Sequence, residues 1–199
     1  MDLNLFFSPY PLGTIKCRVI LVFNFEDAPG KPEEKWGFNS RTARYLRSLW
    51  QSKFWTGSKG ETLLVASKDL GSAEWILLMG LGNRTSFNNK ILEDSLRESG
   101  KILGKLGITD IGTFIPSMDD NDENYPNYFE ESLLIMINAF LSEYKDSLDV
   151  CFRIVASIEQ KILKKMKSIA VSLEGKLDEI EAFNIEFQNN ENSLSAAQI

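Results

Sequence analysis

Between Phe54 and Asn83 the chain carries two short apolar segments, each bounded by glycine. The first, Thr62-Leu63-Leu64-Val65, opens from the turn Gly57-Ser58-Lys59-Gly60-Glu61. The second, Trp75-Ile76-Leu77-Leu78-Met79, closes in Gly80-Leu81-Gly82-Asn83. Their separation of only about ten residues predicts two neighbouring strands, at 61–67 and 75–81, turned by their glycines. A chain built around this pair must place further strands and helices on either side of it, and the flanking sequence supplies both.

Cys17 to Phe25 is nearly continuous in apolar and β-branched residues, the pattern of a strand buried on both faces. Leu3 to Phe7, closed by Ser8-Pro9-Tyr10-Pro11, reads as a short edge strand ending in a turn. Ser40 is placed to cap a helix running to about Phe54, with Ala43, Leu46, Trp50 and Phe54 as its inward stripe. A second helix is expected from Phe87 to Leu106, stopped by Gly107, followed by a strand at Asp110 to Ile115 that ends at Pro116. Pro126 opens a third helix, Asn127 to Tyr144, which is apolar almost all round and so deeply buried. Val150 to Ala156 forms another strand. A last helix begins near Ser157 with a seam of Ile158, Ile162, Met166, Ile169, Leu173, Leu177 and Ile180, read as packing against the sheet or, less readily, as a dimer seam continued by Phe183, Ile185 and Phe187. Alternating strands and helices define an α/β chain with a mixed, largely parallel sheet. One domain is expected over residues 1–183, with 184–199 a polar tail.

Composition narrows the function classes. The chain has no histidine, so Ser-His-Asp and Cys-His nucleophile arrangements and every His-containing zinc site are absent from it. Its two cysteines, Cys17 and Cys151, lie in apolar runs and read as buried free thiols, which points to a reducing, cytoplasmic compartment. A net charge of −6 argues against nucleic acid and anionic membrane as partners. Neither a signal peptide nor a membrane span is expected.

Order and spacing carry a resemblance. Phe54, Gly57 and Gly60-Glu61-Thr62, then Leu77-Leu78-Met79-Gly80-Leu81-Gly82, then Leu103 to Ile108 leading into a strand, are similar to the N-terminal, non-catalytic domain of the leucyl (cytosol) aminopeptidase family over about residues 15–180. The resemblance implies a macro-domain-like three-layer sandwich of about six strands with helices on both faces. In the family that domain precedes a metallopeptidase domain and helps to build an oligomer. The peptidase signature, Asn-Thr-Asp-Ala-Glu-Gly-Arg-Leu with lysine and aspartate metal ligands, has no counterpart here. The expectation is therefore a non-enzymatic binding or assembly module without a cofactor, acting through self-association or a protein partner such as an aminopeptidase subunit.

The alternative is a domain binding an ADP-ribose-type nucleotide at Gly80, Leu81, Gly82, Asn83 and Arg84, where a strand leaves the sheet and exposed N–H groups can cradle phosphate. Against it, a lone Gly-x-Gly more often serves a tight turn and close packing. Arg41, Arg44 and Arg47 form a basic strip that could hold an anion or an acidic partner, although such spacing more often marks a solvated helix face. Asp119 to Asn124 has oxygen ligands but lacks the glycine and glutamate of an EF-hand, so it reads as an acidic loop. Trp36-Gly37-Phe38 is either an exposed contact or tucked beneath the first helix.

Overall fold

The computed structural model describes residues 2–27, 36–67, 71–116, 124–144, 150–166, 169, 172, 173, 176 and 182–187. Strand β2 (Cys17–Asn24) runs near the centre of a seven-stranded sheet. Across the sheet the order is β3 (Thr62–Ala66), β4 (Ala73–Gly80), β2, β5 (Asp110–Thr113), β6 (Cys151–Ser157), β1 (Asp2–Ser8) and β7 (Ala182–Phe187). Every pairing is parallel except β3 with β4, which is antiparallel with Leu64 opposite Leu77. The mixed, largely parallel sheet expected from the sequence is present.

Helices cover both faces. Leu21 and Phe23 of β2, Leu5 and Phe7 of β1, and Phe152 and Ile154 of β6 share one core with α2 (Asn89–Lys105) and α3 (Tyr125–Glu143). Met166, Ile169 and Leu173 join that core, so this part of the final seam packs inward. On the opposite face, Ile20 and Val22 of β2 and Ile76 and Leu78 of β4 meet Ala43 and Leu46 of α1 (Ser40–Gln51), together with Trp36, Phe38 and Trp55. Trp36 and Phe38 are thus tucked in, and Trp36 stacks on Trp50 with ring centroids 6.2 Å apart.

Several expectations change. β1 is not an edge strand: it lies between β6 and β7, and its Leu3, Leu5 and Phe7 are fully buried. The seventh strand comes from residues read partly as tail. Phe183, Ile185 and Phe187 alternate with polar residues, the period of a strand, and pair with Leu3, Leu5 and Phe7. After β6, the helical segment α4 covers Gln160–Leu163, later than the expected start at Ser157, because Ser157 is held in the sheet opposite Ser8. Leu177 and Ile180, like the acidic loop Asp119 to Glu123, lie outside the described residues. Asn39, not Ser40, caps α1: its side chain accepts from the N–H groups of Arg41 and Thr42. Cys17 is buried as expected, whereas Cys151 is exposed.

Phe54 does not continue the inward stripe of α1; it is 67% exposed. The helix ends at Ser52, and the chain reverses through Lys53 at φ 58°. The N–H of Phe54 donates to Leu49 and that of Lys53 to Trp50, a helix-terminating pair of bonds that normally has glycine at the left-handed position. Replacement by glycine removes the steric strain of a side chain there. Lys53→Gly is expected to raise stability by about 1 kcal/mol, read as a higher denaturant midpoint at unchanged slope.

A buried carboxylate ties α3 to the segment after β6. Glu130 accepts from Ser172 Oγ at 2.8 Å and pairs with Lys176 Nζ at 2.6 Å; its side chain is 6% exposed against 52% for Lys176. Lys176→Met leaves that carboxylate with one hydroxyl partner. The expected loss is about 2 kcal/mol, less than for a fully buried pair because half of the lysine is in water. Adding Glu130→Leu to this variant should recover most of the loss, and chemical denaturation of both variants checks it.

Candidate functional site

The carboxyl ends of parallel strands are where open α/β sheets present ligand sites. Here β4 ends at Gly80 beside the end of β2. Leu81 N–H donates to Asn24 C=O at 2.8 Å, and Glu26 N–H donates to Gly82 C=O at 2.9 Å. The 57–60 turn closes over this junction. Gly80 N–H donates to Glu61 C=O at 2.8 Å, Gly82 N–H to Gly57 C=O at 3.0 Å, and Gly60 N–H to Gly80 C=O at 3.0 Å. A Cβ at Gly80 would strike the Ser58 carbonyl oxygen, and Gly82 has φ +73°. Glycine is required at both positions by this close approach of two backbones.

Beyond the turn, Asn83 Oδ1 accepts from Thr85 N–H and Thr85 Oγ1, and Arg84 N–H donates to Asp27 Oδ1 at 3.0 Å. The Arg84 guanidinium lies over the Phe25 ring, 5.0 Å from its centroid. The N–H groups of Gly80, Leu81, Gly82, Arg84 and Thr85 therefore each have a protein acceptor. A phosphate at this turn would have to displace those bonds.

The strongest anion-holding geometry of this region was not singled out from the sequence. The Glu61 carboxylate accepts from three successive N–H groups, Thr56 at 3.0 Å, Gly57 at 2.8 Å and Ser58 at 3.1 Å, and from Thr56 Oγ1 at 2.8 Å. Converging N–H groups of this kind make a concave anion site. In this chain it is filled by the carboxylate of the residue that follows the turn. The sequence signal was the glutamate directly after Gly-x-x-Gly.

Arg41 and Arg44 are exposed and Arg47 half-buried on α1, the helix laid on one sheet face, whereas Gly80 to Arg84 lie at the strand ends. The fold sets the two groups in different regions. A separate crevice of about 340 Å³ opens at the carboxyl ends of β1, β5 and β6, with Tyr10, Trp36 and Phe114 among its walls. Its parts, Pro9-Tyr10-Pro11 and Trp36-Gly37, are far apart in sequence and meet only through the order of the strands.

The Cys17 thiol is pushed up to about 12 by burial, with the Asp110 charge adding to the effect and the Gly112 N–H and Arg153 opposing it. It stays protonated at neutral pH. Among the described residues no cluster of three or more His, Cys, Asp or Glu side chains could hold a metal ion. No helix among them is long and apolar enough to cross a membrane.

Comparison with known proteins bears on this arrangement at three levels. None of the curated proteins matches the chain in sequence. Among solved structures, a mutant of tomato leucine aminopeptidase aligns with a TM-score of 0.62 at 10% identity, covering 87% of this chain and 36% of that one. This chain thus spans little more than a third of that enzyme's length. The macrodomain of Mycobacterium tuberculosis DarG aligns at a TM-score of 0.51 and 9% identity, covering 76% of this chain and 96% of that one. An Oceanobacillus iheyensis macrodomain with MES bound aligns at 0.52 and 11%, covering 85% and 90%. At these identities the likeness concerns the fold, which is the macro-like α/β architecture expected from the sequence. The model of the cytosol aminopeptidase family, N-terminal domain, matches residues 19–147, well over half of the chain. The chain belongs to the cytosol aminopeptidase family, and the part of that family it matches is the N-terminal domain, not the catalytic one.

Proposed function

We propose that this chain is a non-catalytic binding and assembly module that works by docking to protein, either a second copy of itself or an aminopeptidase-like subunit. One observation carries the reading. The register of β3 on β4 puts Leu64, Ala66 and Trp75 on one face at the open edge of the sheet, and Leu64 and Trp75 are 36% and 37% exposed. Among the described residues β3 has no partner on its outer side, and an exposed tryptophan on the strand next to such an edge is the kind of side chain that anchors interface centres. Two free cysteines without a disulfide among the described residues fit a module acting in the reducing cytoplasm.

A second reading, an ADP-ribose-type nucleotide as ligand, draws support from the macrodomain likeness and from the crevice at the carboxyl ends of β1, β5 and β6. It draws less from the Gly80–Arg84 turn, where the N–H groups of Gly80, Leu81, Gly82 and Arg84 have protein acceptors, or from the neighbouring turn, whose nest holds Glu61.

Light scattering over a concentration series is expected to show association, on its own or with an aminopeptidase subunit added. Trp75→Ser combined with Leu64→Ser should weaken it by about tenfold or more, since a buried interface tryptophan contributes on the order of 2 kcal/mol. A species that stays monomeric alone and with the subunit would sink the docking reading. Saturable heat on titration with ADP-ribose would replace it by the nucleotide reading, and peptidase turnover with Mn²⁺ or Zn²⁺ would overturn the non-catalytic assignment.

A further inference from the structure

The half of the sheet formed by β6 and β1 has a second face of mixed polarity. The register places Asn4 opposite Arg153 and Phe6 opposite Val155 there, on the side away from Leu5 and Ile154. Against this face the Tyr10–Lys16 stretch folds back, and between them lies a cavity of about 350 Å³ lined by Ser8, Tyr10, Thr14, Ile15, Lys16, Arg153 and Val155. That volume is at the small end of ligand sites. The cavity is separate from the carboxyl-edge crevice and from the Gly80–Arg84 turn.

Its lining is divided by chemistry. Ile15 and Val155 are buried and apolar. Ser8 is 1% exposed, and its Oγ accepts from Tyr10 N–H, which leaves the hydroxyl proton available. At the other end sit two cations. Arg153 Nη1 donates to Lys16 C=O at 3.2 Å and to Asp110 Oδ1 at 2.6 Å, while its guanidinium lies over the Phe6 ring, 5.1 Å from the centroid. Those contacts fix the guanidinium plane and use one of its three nitrogens. The Lys16 ammonium makes no hydrogen bond or ion pair among the described residues. Asp110 offsets the charge of Arg153 and lines a neighbouring groove that Lys16 also borders, so the two cations of this cavity face one paired carboxylate between them. An anchored guanidinium, a free ammonium and a buried hydroxyl around an apolar floor are the donor set for one anionic group with a short apolar body.

We propose that this cavity binds a small organic anion, a carboxylate or a phosphate monoester, with its charge between Lys16 and Arg153 and its body over Ile15 and Val155.

The test is a titration of the intact chain with phenyl phosphate and, separately, benzoate, followed by amide chemical shifts. Saturable shifts at Ser8, Thr14, Lys16 and Arg153 are expected, with dissociation constants of about millimolar order for so small a ligand. Lys16→Gln should weaken binding roughly fivefold or more, as loss of one charge-assisted bond requires; the exposed, unpaired lysine makes this change harmless to folding. Arg97→Gln, on the solvent side of α2, should leave binding unaltered. Tighter binding of phenyl phosphate assigns a phosphate ligand, and tighter binding of benzoate assigns a carboxylate. The proposal is overturned if neither probe gives saturable shifts at these residues, or if Lys16→Gln weakens binding no more than Arg97→Gln does.

Discussion

Everything in this fold depends on the sheet being covered on both faces, and β2 is where that constraint is most severe. Val19, Ile20, Leu21 and Val22 are each at most 1% exposed, two facing the α2–α3 layer and two facing α1 and the Trp36–Phe38 segment. Complete burial of such side chains contributes about 1.5–3 kcal/mol each. Neither helical layer could be removed without exposing a continuous apolar run. The same requirement explains why α3 is apolar nearly all round: it lies over β1 and β6 and also packs along α2.

Two-sided cover leaves the strand ends and the sheet margins as places for recognition. At the β2–β4 end the backbone satisfies itself, with the 57–60 turn bonded to Gly80 and Gly82 and the Glu61 carboxylate occupying the turn's own N–H groups. The glycines there serve backbone packing, and the N–H groups of Gly80, Leu81 and Gly82 already have backbone acceptors. What stays open lies elsewhere: the Leu64–Trp75 margin, the crevice at the carboxyl ends of β1, β5 and β6, and the cationic cavity beside Arg153. Membership of the aminopeptidase family through its N-terminal domain fits a chain whose accessible features are surfaces and shallow cavities.

The periodic signals were legible where one element dominates its own environment. β2, α2, β5 and α3 follow from apolar spacing and from Gly107 and Pro126 as end markers, and the Gly-x-x-Gly-Glu and Gly-Leu-Gly turns identified the family. Phe54 was misjudged because a helical period cannot show that Lys53 adopts a left-handed conformation and turns the chain outward. β7 was hidden because Phe183, Ile185 and Phe187 extend a heptad-like seam as readily as they form a strand. Only β1, whose register partners lie 180 residues earlier in the chain, selects between them by offering an edge for them to pair with.

By itself, then, the sequence determined the fold class, the order of most elements and the absence of histidine chemistry, because these depend on local residue type and spacing. Tertiary structure alone decided which strand lies at the edge, which glycines are structural, and which charges meet. Gly80 needs its small size because Ser58 is packed against it, and Lys16, just before β2, gains a partner cation in Arg153 because β5 pairs with both β2 and β6. Those contacts join residues far apart in the chain, and no local period encodes them.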